Sequence, residues 1–244
     1  MSHIVESNLE RSLTTQPLRD VGEAVSDAVS EAASQALARV KPRLRGVSHE
    51  IAFYCSIFAV AALLYRAHGG PLFVGTAVYG VSLCAMFGVS ALYHRPMWSP
   101  EARLFMRRLD HATIFGLVAG TYTPLTLASL GHAAGGRMLT YIWAGAGLGM
   151  LRALFWPHAP RWLVTAPYVL LGWAATFEWR AFSAGLGGAR LALVLAGGLL
   201  YTVGALVYAR KWPNPSPKVF GHHEVFHLFV IAAGICHFAV VASL

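Results

Sequence analysis

Seven apolar runs follow one another between residues 51 and 244, at roughly 51–65, 72–93, 109–130, 138–155, 162–179, 191–208 and 225–244. A bilayer core is crossed by about 20 apolar residues in a helix. The connections are short and carry chain breakers: Gly69-Gly70-Pro71, Pro96, Gly135-Gly136, Pro157 and Pro160, Gly187-Gly188, Pro213 and Pro215. In hydrocarbon a segment must satisfy its own backbone hydrogen bonds, so single runs of this kind are helices and not strands. The expectation is an all-α integral membrane protein, a seven-transmembrane helix bundle over residues 43–244, preceded by an extension, 1–42.

Composition agrees. Hydrophobic residues make up 56% of the 244 positions and charged ones 12%, about half the charge of a soluble domain. Six of the eleven acids lie in residues 1–40, so the net charge of +8 arises from the rest of the chain. Its bases cluster between apolar runs, unlike the basic face of a polar nucleic-acid-binding domain, so no nucleic-acid partner is expected. Cys55, Cys84 and Cys236 fall within apolar runs and read as packing residues. The first 40 residues hold no apolar core segment of a cleavable signal, and the first run is expected to stay as a span. Leu18, Val21, Val25, Val29, Ala32, Ala36 and Val40 recur at helical spacing and predict a weakly amphipathic helix.

Counting bases sets the orientation. With the N-terminus cytoplasmic, the inner ends and loops receive 13 Lys and Arg residues and the outer loops Arg66, Arg137, Arg180 and Arg190. The positive-inside rule then places the N-terminus in the cytoplasm and the C-terminus outside.

This topology gathers the polar residues. His94 ends the second run, Asp110 begins the third, and His223 and His227 begin the seventh, all at the cytoplasmic depth. Histidines four apart lie about 40° apart around a helix and reach one metal ion together. Ser90 shares a face with His94, one turn deeper. The arrangement predicts a zinc site of His94, His223 and His227 with a fourth position open to water, and Asp110 and Ser90 beside that water. Within His223-Glu224-Val225-Phe226-His227, which reads HExxH, Glu224 is either a general base or a charge facing water at headgroup level. His49 is either an alternative third ligand or a loop-stabilising residue, and His237, 14 residues beyond His223, is too deep to share the ion. Tyr122 and Thr123 are expected to satisfy backbone freed by a kink at Pro124.

Ser90-Ala91-Leu92-Tyr93-His94, Leu109-Asp110-His111, and His223 to His227 with His237-Phe238 downstream together resemble the hemolysin III family. That family is the bacterial branch of the progestin and adipoQ receptors, which include the adiponectin receptors. The resemblance covers about residues 43–244. It implies a seven-helix fold in the bacterial plasma membrane with zinc near the cytoplasmic face, held by His94, His223 and His227. Asp110 and Ser90 are then partners of the reactive water, and membrane lipids are the natural substrates or surroundings. Three activities stand as expectations. The first is a zinc-dependent, ceramidase-like hydrolase of lipid amides or esters, or a membrane-homeostasis factor. The second is a non-catalytic haemolytic, pore-forming or receptor-like protein with a structural zinc. The third is an intramembrane metalloprotease using Glu224.

Overall fold

The computed structural model describes residues 41–67 and 69–244, with Val25 and Val29 in the extension. Apart from those two positions, the amphipathic helix expected before residue 41 lies outside the described residues. Residues 42–244 form one unit.

Its helices are α1 (Val47–Arg66), α2 (Gly70–His94), α3 (Pro100–Ser129), α4 (His132–Phe155), α5 (Arg161–Gly172), α6 (Trp179–Arg210) and α7 (His222–Ala242), with a 3-10 turn, Ala174–Glu178, between α5 and α6. The described residues contain no strand; one isolated bridge, Ser216 to Phe220, closes the loop before α7.

Five segments are long and apolar enough to cross a membrane: Val47–Arg66, Gly70–His94, His132–Phe155, Trp162–Arg210 and His222–Ala242. The seven expected runs do not map one-to-one onto these. The stretch Trp162–Arg210 is 49 residues long, and its backbone breaks at Gly187, where φ is +74°. Helix α3 starts nine residues before the apolar run that predicted it. Ser99 caps it, accepting from the Ala102 N–H at 3.3 Å, and Pro100 occupies the first turn without forfeiting a needed donor. This early start brings Glu101, Arg103, Arg107 and Arg108 into the helix, which is why it is not uniformly apolar.

Neighbours in sequence pack side by side, α1 on α2, α2 on α3, α3 on α4 and α6 on α7, and α1 also meets α7. The core lies between them, with Tyr79, Leu83 and Phe87 of α2, Phe115 and Ala119 of α3, Ile142 and Ala146 of α4, and Ala233 and Val240 of α7 all buried. Outward positions hold large apolar residues such as Phe58, Tyr65, Leu170 and Ile235. This inverted economy of a surface as apolar as the core suits lipid as solvent. Phe115 enters α4 at Gly149, where a Cβ would come within 2.2 Å of its ring.

Tyr122 acts differently from expectation. Its hydroxyl donates to Gly172 O at 2.7 Å and accepts from Ala175 N at 2.8 Å. It therefore satisfies backbone at the break between α5 and the 3-10 turn, not at a kink of its own helix. Thr123 donates within α3, to Ala119 O at 2.8 Å.

Candidate metal centre

The ends of α2 and α7 meet the first third of α3 at one end of the bundle. Three histidines converge there: ligand atoms of His94, His223 and His227 all lie within 4.8 Å of one another. Nε2 of His94 and Nε2 of His223 are 3.0 Å apart. His94 and His227 are buried. His223 and His227 come from successive turns of α7, as four-residue spacing requires, and the ring centroids of the pair are 4.5 Å apart. Asp110 places Oδ2 4.0 Å from His94 Nε2. Ser90, buried one turn before His94, lies beside Asp110.

The donor set fits a cation. Ligands at the usual zinc–imidazole distance stand about 3.3 Å apart in a tetrahedron, close to the His94–His223 separation. Two imidazole nitrogens facing each other need a proton or a metal between them, and Nδ1 of His227 is buried without a hydrogen-bond partner. Three histidines can thus hold a metal ion, with a carboxylate at the rim. All five residues expected at the site, His94, His223, His227, Asp110 and Ser90, are brought together.

A further histidine belongs to the assembly. His49, in the first turn of α1, is buried. Its ring lies flat on His227, with centroids 3.8 Å apart and planes 7° from parallel, and Nδ1 is 2.9 Å from Ser90 Oγ. It buttresses one ligand and orients the hydroxyl beside Asp110, and it is not one of the three clustered ligands. The sequence signal was a histidine at the start of a span, which alone does not separate this role from a boundary residue.

Glu224 corrects one of its two expectations. It does not face water: it is 1% exposed. Oε1 accepts from Arg45 Nε, and Oε2 accepts from Gly221 N–H at 2.7 Å. The carboxylate therefore closes the first turn of α7, half of a capping box, and neutralises Arg45 from the segment before α1. Both oxygens are engaged.

That segment shuts the end of the bundle. Arg43 N donates to Lys218 O and Leu44 N to Val219 O, each at 3.1 Å, and Arg95 pairs with Glu50 at 2.7 Å. Gly46 turns the chain into α1 with φ at +81°, and a Cβ there would come within 2.6 Å of His94 Cβ. Only glycine meets both conditions.

The other polar residues fall elsewhere. His237 is buried deeper, with Nε2 3.3 Å from Val194 O. His111 turns to Arg107 O at 2.7 Å, and His222 donates its backbone N–H to Asn214 at 3.0 Å.

Comparison with known proteins agrees with these features. Residues 37–238 match the family described as haemolysin-III related. Hemolysin-3 of Bacillus cereus is 32% identical over 198 residues, covering 80% of this chain and 87% of the relative. The hemolysin-3 homolog of Bacillus subtilis (strain 168) is 30% identical over 80% of this chain and 90% of its own length. The human monocyte to macrophage differentiation factor is 26% identical over 67% of each.

Proposed function

The chain belongs to the haemolysin-III related family and is an integral, multi-pass protein of the bacterial plasma membrane; from that premise we propose that it is a zinc-dependent hydrolase of lipid amide or ester bonds. The observation that carries this reading is the carboxylate of Asp110, 4.0 Å from His94 Nε2, at the rim of the three-histidine cluster. A carboxylate beside a three-histidine set is placed to take a proton from water at a fourth, open position, the pattern of catalytic zinc sites.

His94, His223 and His227 would hold the ion. Zinc so held supplies Lewis acidity toward water and toward a substrate carbonyl. Asp110 takes the proton from the attacking water and passes it to the leaving amine or alcohol. Ser90, fixed by His49, keeps the carboxylate aimed at the ligand cluster. The bundle's lipid-facing exterior admits the acyl chain from the membrane.

The topology belongs to the same proposal. With α3 as a span and Trp162–Arg210 divided at Gly187, the chain crosses seven times. The base count then puts the histidine end and the N-terminus in the cytoplasm and the C-terminus outside. Engagement of both Glu224 oxygens by Arg45 and Gly221 speaks against the metalloprotease reading. The names of the Bacillus relatives, hemolysin-3 and hemolysin-3 homolog, favour one alternative, a haemolytic membrane protein in which the metal is structural.

Elemental analysis of the purified protein beside H94A and H227A is the test, followed by a lipid-extract assay with D110N. Zinc lost in both histidine variants, with turnover lost and zinc kept in D110N, supports the hydrolase. Zinc and function both unchanged in D110N would leave the structural reading.

A further inference from the structure

Arg152 occupies the last turn of α4. Its guanidinium carbon is 5.9 Å from the centroid of Phe115, the ring admitted by Gly149. The Tyr168 hydroxyl lies beside it. That hydroxyl in turn donates to His111 O at 3.2 Å, and the Phe115 and Tyr168 rings lie 4.5 Å apart. Three donors here have nothing to meet: Nε and Nη2 of Arg152 are buried and without a hydrogen-bond partner, and so is Nε of Arg108. Arg108 precedes Phe115 by two turns on the same face of α3.

No acid on the described chain neutralises Arg152. Glu50 serves Arg95 and Glu224 serves Arg45, Asp110 stands beside His94, and Glu101, in the first turn of α3, and Glu178, beside α6, make no ion pair with it. A guanidinium cannot relieve its burial by losing a proton, and an unpaired buried charge is costly. Its planar fork is the complement of a phosphate or carboxylate, which accepts two parallel N–H groups at once. Leu148, Leu151 and Phe155, the neighbours of Arg152 along α4, are exposed apolar residues, so an acyl chain can lie against the helix while its headgroup reaches the arginine. Basic pockets between membrane helices bind anionic headgroups in this way.

We propose that Arg152, with Tyr168 beside it and Arg108 along α3, forms a binding site for the oxyanionic headgroup of a membrane amphiphile. Anion binding there does not need the clustered histidines to carry a metal.

The test uses the full chain in phosphatidylcholine nanodiscs doped with phosphatidic acid, with retained lipid measured by native mass spectrometry. Wild type and R190Q, which alters an exposed arginine bound to Ser243, retain phosphatidic acid preferentially. R152Q retains roughly tenfold less, the factor expected from one lost charge-assisted hydrogen bond. Equal retention by R152Q and wild type overturns the site. If R152Q fails to fold, R152K is read instead: it keeps the charge and loses the fork, and retention equal to wild type again overturns the proposal. A parallel arm adds inorganic phosphate. Phosphate that does not displace the lipid supports the membrane source. Phosphate binding at Arg152 without any lipid preference overturns it in favour of a soluble anion.

Discussion

His49 lies flat against His227, 3.8 Å from centroid to centroid, while its Nδ1 holds Ser90 Oγ at 2.9 Å. One side chain at the start of the first helix thus touches both the ligand set and the hydroxyl beside Asp110. H49F keeps an aromatic face for His227 and removes the bond to Ser90. Turnover is expected to fall about 10- to 100-fold, the usual effect of losing such a supporting contact, with zinc content unchanged. Paired measurement of activity and metal per chain checks this; loss of the metal itself would make His49 a ligand.

The ligands themselves behave differently. H94A and H227A each remove one of the three clustered imidazoles; if these hold zinc as proposed, the wild type is expected to carry about one ion per chain and the purified variants little. Inductively coupled plasma mass spectrometry on detergent-purified protein reads the outcome. Full metal occupancy in both variants contradicts the assigned centre.

D110N keeps the volume and a hydrogen-bond acceptor for Ser90 but lacks a base. Hydrolysis is expected to drop by about 100-fold or more with zinc retained. Activity within twofold of wild type would remove Asp110 from the proton path.

Breaking the Arg45–Glu224 pair should cost stability rather than chemistry. R45M leaves a buried carboxylate without its cation, and removal of one partner of a buried pair costs about 3–5 kcal/mol. E224Q retains an acceptor for Gly221 N–H and strands Arg45, which is partly exposed, so the loss is smaller. In thermal unfolding the double variant R45M/E224Q is expected to lose less than the two single losses combined. An additive result would mean that the two residues do not interact.

G46A must adopt a left-handed backbone, at roughly 1–2 kcal/mol, and also pushes on His94 from 2.6 Å. It is expected to lower both melting temperature and zinc affinity. G136A, inside α4, meets open space; it should hold or slightly raise the melting temperature, as alanine favours a helix over glycine, and leave zinc affinity unchanged, which makes it the control in a melting and metal-titration series.

The convergence of His94, Asp110, His223 and His227 was legible in the sequence because helix parity alone places the end of one span and the start of the next at the same depth. Their spacing did the rest: residues four apart share a face of α7. Glu224 was not legible. Its partner lies 179 positions earlier, and its cap on Gly221 exists only once the helix start is fixed, so the HExxH string was open to a catalytic reading that the folded chain gives no support. His49 was partly legible, as a polar residue at a span's start, but stacking on His227 depends on how α1 and α7 rotate against each other. Helix counting was limited by α3, whose charged first third belongs to the helix, and by Gly187, a break inside a continuous apolar stretch. Arg152 showed only as an inner positive charge; that it turns inward onto Phe115 depends on the space left by Gly149.

The strap joining residues 43–45 to the loop and helix start at 218–224 has a consequence for biosynthesis. The chain leaves the ribosome from its N-terminus, so Arg45, His49, Ser90, His94 and Asp110 are all made before the segment that completes them exists. Arg45 waits for Glu224, and His94 waits for His223. A nascent chain inserted as far as α6 holds one of the three ligands and an uncapped end. Assembly of the three-histidine cluster, closure of that end and burial of its charges therefore coincide with delivery of the final helix, and a truncation before residue 222 leaves an incomplete end that membrane quality control can recognise.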